Sequence, residues 1–189
     1  KMKIKSLLLL GLATIFSMNA FAQATHFKAG GLVYEKTGDA AARTVLVYGT
    51  HDATITTVEI PATVSDGTYT YYVIGFQQTS GMEWFENTAT AGAGLEVEDA
   101  TNKLTTLTIN IDNFTAVPTD AQLAINALES LTLKGTSSID GNFTVPQYTA
   151  AKFAKLDLSD LAAKSGKDLK LASYAGATNI KEIAVPASI

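Results

Sequence analysis

The stretch Leu104-Thr105-Thr106-Leu107-Thr108-Ile109 decides how the rest of this chain is interpreted. Its pattern, apolar-x-x-apolar-x-apolar, recurs at residues 128–133, 153–158 and 180–185. The copies start at residues 104, 128, 153 and 180, so they are 24, 25 and 27 residues apart. A further copy at residues 55–60 begins 49 residues before the first, which is close to two periods. A fixed period of this length is typical of stacked repeats, in which each unit buries its apolar side chains against its neighbours.

The spacing within each copy predicts a short β-strand. Alternate residues of a strand face opposite sides, so the apolar residues point inward and the residues between them point outward. Stacked copies then pair in parallel and bury a continuous apolar seam. We predict a mostly β, α/β repeat fold: a leucine-rich-repeat solenoid with one parallel strand per repeat. The return segments 120–128 and 147–155 each have the composition of a short helical turn.

The sequence before the regular repeats predicts an N-terminal β-hairpin cap. Short runs of β-branched and aromatic residues are separated by turn signals, and Asp66-Gly67 predicts a tight hairpin. Pro61 should end the strand of the first motif copy. We therefore assign residues 23–80 to the cap and first repeat, 81–103 to a degenerate repeat or insertion, and 104–189 to the leucine-rich repeats. We expect the array to continue beyond residue 189, because an open end would leave an apolar edge uncovered.

The first 22 residues predict a secretory signal peptide. Lys3 and Lys5 precede an apolar run at 7–16, and Ala20-Phe21-Ala22 fits a cleavage site after Ala22. The run is too short to span a bilayer, which needs about 20 apolar residues. We therefore expect a secreted or cell-surface protein with no membrane span after cleavage.

The net charge limits the kinds of partner that the chain can bind, and the cysteine content limits how it is stabilised and anchored. Removing the three lysines of the leader lowers the formal net charge from −4 to −7, and such a surface repels nucleic acid and anionic lipid. The chain has no cysteine, so it holds together without disulfides and carries no acylated-cysteine anchor. We expect no nucleic-acid partner.

The residues that could do chemistry are few. His26 and His51 lack the HExxH or His-x-His spacing of a metal site, and His51 lies beside Asp52 in a predicted turn. The carboxylates Glu96, Glu98 and Asp99 indicate a solvated strand edge better than a glycosidase pair. We predict a protein that is not an enzyme, with no catalytic residue, metal or cofactor.

Five segments of the sequence match, in the same order, the segments of a known family of repeat proteins. They are Gly31-Leu32-Val33-Tyr34, Ile60-Pro61-Ala62-Thr63-Val64, Tyr69-Thr70-Tyr71-Tyr72-Val73, Ile74-Gly75 and, further on, Ser173-Tyr174-Ala175-Gly176-Ala177-Thr178-Asn179-Ile180. In these the chain resembles the BspA-like leucine-rich repeat surface proteins of bacteria, with Ala177 where that family has cysteine. The resemblance covers most of the mature chain and is strongest at 27–75 and 173–186. It implies an exported or surface-displayed scaffold that functions in adhesion, and it carries over no catalytic residue.

The outward positions of the repeat strands form the candidate binding surface. They are Thr106, Thr108, Asn110, Ser130, Thr132, Lys134, Lys155, Asp157, Ser159 and Glu182. These side chains are small, rich in hydroxyls and mixed in charge. They fit an ordinary solvated sheet face, or a surface that binds an extracellular protein or cell-surface partner.

Two other classes of function are also compatible with the sequence. An exported glycan-binding or carbohydrate-active component would need exposed aromatic residues, and Trp84 and Tyr148 are the candidates. A structural subunit of a surface fibre would need antiparallel β-sandwich domains, and the regular period would then be coincidental.

Overall fold

The structure is a computed structural model, and it describes residues 25–77, 103–123, 125–139, 142–175 and 177–187. The predicted signal peptide, Trp84 and the carboxylates at 96–99 lie outside the described residues. The predicted degenerate repeat or insertion at 81–103 lies outside them as well, apart from Lys103.

The described chain is almost entirely β. The strands are β1 (His26–Ala29), β2 (Leu32–Lys36), β3 (Thr44–Thr50), β4 (Thr57–Ile60), β5 (Thr63–Ser65), β6 (Thr70–Phe76), β7 (Thr106–Asn110), β8 (Ser130–Thr136), β9 (Phe143–Val145), β10 (Lys155–Asp157), β11 (Leu161–Ala162), β12 (Leu169–Leu171) and β13 (Glu182–Ala184). A one-turn 3-10 helix, Ala121–Leu123, lies within the predicted helical segment 120–128.

The helical turn predicted for 147–155 is wrong. In its place the chain is held by the preceding repeat. The backbone N–H and the hydroxyl of Thr149 donate to the Asp120 carboxylate at 2.6 and 2.7 Å, and the Tyr148 hydroxyl donates to the Pro118 carbonyl at 3.0 Å. These bonds between repeats outweigh the local preference for a helix, which is weak in so short a segment.

The repeat sheet confirms the predicted solenoid. Its strands lie in the order β13-β10-β8-β7-β4, and every neighbouring pair is parallel. The middle apolar residue of each motif faces that of the next, so Leu107, Leu131, Leu156 and Ile183 form one column that continues to Val58 on β4. Parallel pairing excludes the antiparallel sandwich for this part of the chain.

A repeated hydrogen-bond arrangement leads each repeat into the next. The carbonyl oxygen of Glu129 accepts the backbone N–H groups of both Ala154 and Lys155, each at 2.9 Å. The carbonyls of Thr56, Thr105 and Ala154 accept two N–H groups from the following repeat in the same way. These bonds fix the strand register before the ladder begins.

The side chains of the apolar seam are fully buried in the middle repeats and only partly buried at the last described repeat. Leu107, Leu131 and Leu156 are fully buried, whereas Ile183 is only partly buried and Val185 is 47% exposed. On the return side, Tyr148 and Tyr174 link successive repeats, since each hydroxyl donates to a proline carbonyl of the repeat before it, at 3.0 and 2.9 Å.

The cap is a second sheet in the order β1-β2-β3-β6-β5. Its pairs are antiparallel hairpins except for β3 and β6, which run parallel. The hairpin predicted at Asp66-Gly67 joins β5 to β6, and Gly67 takes a φ of 91° that suits glycine. β4 ends before Pro61 and pairs directly with β7, so no strand separates the first motif copy from the second.

Candidate binding surface

The outward residues of the repeat strands form two columns across the sheet. Thr106, Ser130, Lys155 and Glu182 face one another along the first column, and Thr108, Thr132, Asp157 and Ala184 along the second. Asn110 faces Lys134 in a shorter third column. We call this surface the strand face. All of its residues are at least partly exposed to solvent, while the residues between them are buried in all but the last strand.

Two departures from the predicted set concern the edges of the strand face. Ser159 lies beyond the end of β10, in a turn, where its backbone N–H and hydroxyl both donate to Asp157 Oδ1 at 3.0 and 2.7 Å. Thr57 and Glu59 on β4 extend the face by one strand, facing Thr106 and Thr108. The motif copy at 55–60 carries the signal for these two residues, because they occupy the same positions as the outward residues of the later copies.

Two ion pairs cross the strand face. Lys134 Nζ lies 2.7 Å from Glu59 Oε1, so this pair reaches over the whole width of β7. Lys155 and Glu182 lie on adjacent strands with 3.0 Å between Nζ and Oε1. The hydrogen bond to Glu182 and the charge of that residue raise the pKa of Lys155. Both pairs are well exposed, so solvent screens them and a partner can replace them at little cost.

The carboxylate of Asp157 is engaged at the end of its strand. The backbone N–H and then the hydroxyl of Ser159 stabilise its charged form, and these bonds lower the pKa of Asp157. Asn110 closes a similar turn, accepting the N–H of Asp112 at 2.8 Å. These two polar side chains therefore hold the ends of their strands in shape and present less free hydrogen-bonding capacity to a partner.

The strand face is built from polar side chains on the outward side of the repeat strands. Its side chains are hydroxyls, an amide and charged tips, with no aromatic ring among them. Within the described residues there is no group of three or more His, Cys, Asp or Glu side chains that could hold a metal ion. His26 lies in the cap, with its ring packed edge-on against Tyr48 at 4.7 Å between ring centroids.

Tyr148 is not a sugar-stacking residue. Only 2% of it is exposed, its ring packs edge-on against Phe153, and its hydroxyl is bonded to Pro118. Stacking on a sugar needs an accessible ring face, so the expectation that Tyr148 contributes to a glycan site is wrong.

Comparisons with known proteins give a single distant likeness to report. No family model matches the sequence, and no curated protein matches it. Among solved structures, the chain is similar to a leucine-rich cell surface protein from Faecalibacterium prausnitzii, with 16% sequence identity and a TM-score of 0.39. The match covers 87% of this chain and 43% of that protein, so the chain spans less than half of its length.

In the parts of the chain that the structure describes, no helix has both the length and the apolar character needed to cross a membrane.

Proposed function

We propose that this chain is a secreted or surface-displayed leucine-rich repeat protein that is not an enzyme and mediates protein–protein interaction or adhesion through its strand face. The observation that supports this most directly is the shared register of the repeat strands. It aligns the outward residues of five strands into continuous columns on one side of the sheet.

The shape of the strand face suits a protein partner. Neighbouring strands are about 4.8 Å apart, so five of them give a surface about 19 Å across. An extended array of side chains of this kind fits another protein, whereas small ligands are bound in concave pockets. The outward side chains sit on a hydrogen-bonded sheet above a packed core, so few of them must be ordered when a partner binds.

The sequence supports the proposed location. The first 22 residues have the basic start, apolar run and small-x-small site of an export signal. The net negative charge of the chain is also unsuited to nucleic acid or to anionic lipid.

Binding measurements with two matched variants test the role of the strand face. Thr132 lies in the middle of β8 between buried Leu131 and Leu133, and its side chain belongs to the strand face. Thr144 lies in the middle of β9 between buried Phe143 and Val145, and it is exposed on a different sheet. Thr132→Arg and Thr144→Arg therefore add the same side chain between two buried strand residues, once on the strand face and once on the two-stranded sheet of β9 and β12.

The wild-type chain is first screened by biolayer interferometry against purified extracellular proteins and intact cells. For any partner found, Thr132→Arg should weaken binding at least about tenfold, because a hot spot near the centre of an interface contributes more than 1.4 kcal/mol. Thr144→Arg should bind as wild type does. Equal binding by both variants would show that the strand face is not the contact surface, and a chain that binds none of the proteins or cells would count against the adhesive function itself.

A further inference from the structure

The cap contains a cleft that is separate from the strand face. It has a volume of about 330 Å³ and opens between the loop that joins β2 to β3 and the β5–β6 hairpin. Its polar and aromatic lining includes Lys36, Asp39, Arg43, Thr44, Tyr69 and Tyr71. Small-ligand sites have volumes of about 300 Å³ and upward, with a few polar groups converging on an apolar lining.

Arg43 is the only arginine in the chain, and its backbone is held in an unfavourable conformation. Its φ is 48°, and glycines aside, no other residue that the structure describes has a positive φ. The conformation is fixed on both sides, because Arg43 N–H donates to the Asp39 carbonyl at 3.2 Å and its own carbonyl accepts Tyr72 N–H at 2.8 Å. Strained backbone of this kind concentrates at functional sites, where the surrounding structure maintains it.

The Arg43 guanidinium is oriented but not paired. Its Cζ lies 4.7 Å from the ring centroid of Tyr69, which is 42% exposed, so the ring holds the guanidinium by a cation–π contact. No carboxylate of the described residues forms an ion pair with it. A guanidinium stacked in this way still has the N–H groups along its edge, which match the two oxygens of a carboxylate.

Asp39 offers an acceptor near the base of the same loop. Its Oδ1 receives the N–H groups of Ala41 and Ala42 at 2.9 and 3.1 Å, which holds the loop in shape. No described residue donates to Oδ2, and this oxygen can accept the hydroxyl of a ligand. A carboxylate in this position disfavours a strongly acidic peptide but suits a ligand that has both hydroxyls and one acidic group.

Lys36, which lines the cleft, belongs to a partly buried ion pair. Lys36 Nζ donates to Asp66 Oδ2 at 2.8 Å, and the Tyr71 hydroxyl donates to the same oxygen at 3.0 Å. The Lys36 ammonium also lies over the ring of Tyr71, 5.2 Å from its centroid. Because Asp66 compensates the charge of Lys36, Arg43 remains as a positive charge of the cleft that no carboxylate of the described residues neutralises.

We propose that the cleft binds one acidic sugar unit of a glycan. The sugar carboxylate pairs with the Arg43 guanidinium, a ring hydroxyl donates to Asp39, and the sugar ring packs against the exposed part of Tyr69. This site is independent of the proposed adhesion through the strand face, and either proposal can fail without the other.

The single arginine makes the test direct. In a ¹⁵N-correlated NMR spectrum of the full chain, the Nε–Hε signal of arginine side chains belongs to Arg43 alone. The probes are D-glucuronic acid and D-glucose, which differ only by a carboxylate in place of a hydroxymethyl group. Glucuronic acid, titrated to about 10 mM, should shift the Arg43 signal in a saturable manner, and glucose should leave it nearly unchanged.

Two variants keep the test independent of folding. Arg43→Gly removes the guanidinium and also relieves the positive φ, so the variant should fold at least as well as wild type while its calorimetric binding to glucuronic acid is lost. Lys28→Gln removes one exposed positive charge from β1, elsewhere in the same cap, and should bind as wild type does.

Four results would overturn the proposal. They are the absence of any shift with glucuronic acid, equal shifts with glucose, calorimetric binding that survives in Arg43→Gly, and an equal response to N-acetyl-glutamate amide. The last result would mean that the cleft recognises a peptide carboxylate and not an acidic sugar.

Discussion

The column of apolar residues predicts a gradient of stability along the repeats. Leu131 and Ile183 occupy the same position of their motifs and belong to one column, with Leu156 between them. Leu131 is fully buried between two neighbouring strands, whereas Ile183 lies on the outermost described strand and is only partly buried. Truncating each to alanine therefore changes the same kind of contact at two depths.

The expected loss in the free energy of unfolding of each variant follows from how deeply its side chain is buried. Leu131→Ala leaves an enclosed cavity and should lower the free energy of unfolding by about 3–5 kcal/mol. Ile183→Ala leaves a depression that water can enter, and part of its surface is already exposed, so its cost should be about 1–2 kcal/mol. With a urea m-value of about 2 kcal/mol/M, the unfolding midpoints should fall by roughly 1.5–2.5 M and 0.5–1 M.

Urea unfolding of the 189-residue chain, followed by circular dichroism, measures both values. Hydrogen exchange should show the Leu131→Ala loss spreading to the flanking strands β7 and β10, because each repeat is stabilised by its neighbours. Equal costs for the two variants would refute a continuous seam that thins toward β13. A loss confined to β8 would refute the coupling between repeats.

Three further changes have expected outcomes that can be measured. Gly135→Ala should destabilise the chain by about 1–3 kcal/mol in urea unfolding, because Gly135 has a φ of 99° and an added Cβ would clash with a neighbouring carboxylate oxygen. Tyr148→Phe should cost about 1–3 kcal/mol, because it leaves the Pro118 carbonyl without its buried donor. Burial alone would raise the pKa of Asp66, but the bonds from Lys36 and from two backbone N–H groups hold it well below its usual value. The stability that these bonds give is therefore complete above the unfolded pKa of about 3.9 and lost as the pH falls through the lower folded pKa, so the melting temperature should drop in that acidic range.

Each of these predictions has its own control. Gly38→Ala meets a similar φ of 86° in open space, so it should cost less than Gly135→Ala, and equal costs would remove the clash as a cause. Tyr174→Phe removes the corresponding hydroxyl of the next repeat at a less buried site and should cost less than Tyr148→Phe. In Asp66→Asn the melting temperature should depend less on pH in the acidic range. An unchanged dependence would mean that other carboxyl groups cause the loss of stability in acid.

The sequence was sufficient for the motif strands and for the side of the sheet on which their residues lie, but not for β9, β11 and β12 in the return segments. Alternation along a strand is a local property, so the motif alone assigns Leu107, Leu131 and Leu156 to the interior and Thr108 and Thr132 to the surface. The shared period was enough to predict their parallel register, because equal spacing brings equal positions side by side in a stack.

The sequence was weaker at two positions, Ser159 and Tyr148, whose surroundings differ from those expected. Ser159 has the spacing of an outward residue, yet β10 ends at Asp157 and the serine lies in the turn that follows. Tyr148 has the chemistry of an exposed aromatic, but a carbonyl from the preceding repeat accepts its hydroxyl inside the core. The turn at Ser159 has a local cause, because the Asp157 carboxylate two residues earlier accepts its N–H and hydroxyl, whereas nothing near Tyr148 in the sequence indicates its distant partner.

The sequence by itself determined the period, the motif strands and the side of the sheet on which each of their side chains lies, because these depend on neighbours along the chain. Only the tertiary structure decided that β4 pairs directly with β7, although their motifs begin 49 residues apart, and that separate turns of the cap bring Arg43, Asp39 and Tyr69 to one cleft. Those arrangements depend on how the loops between strands return and pack. The free energy of such packing is shared among residues far apart in sequence, so no local pattern records it.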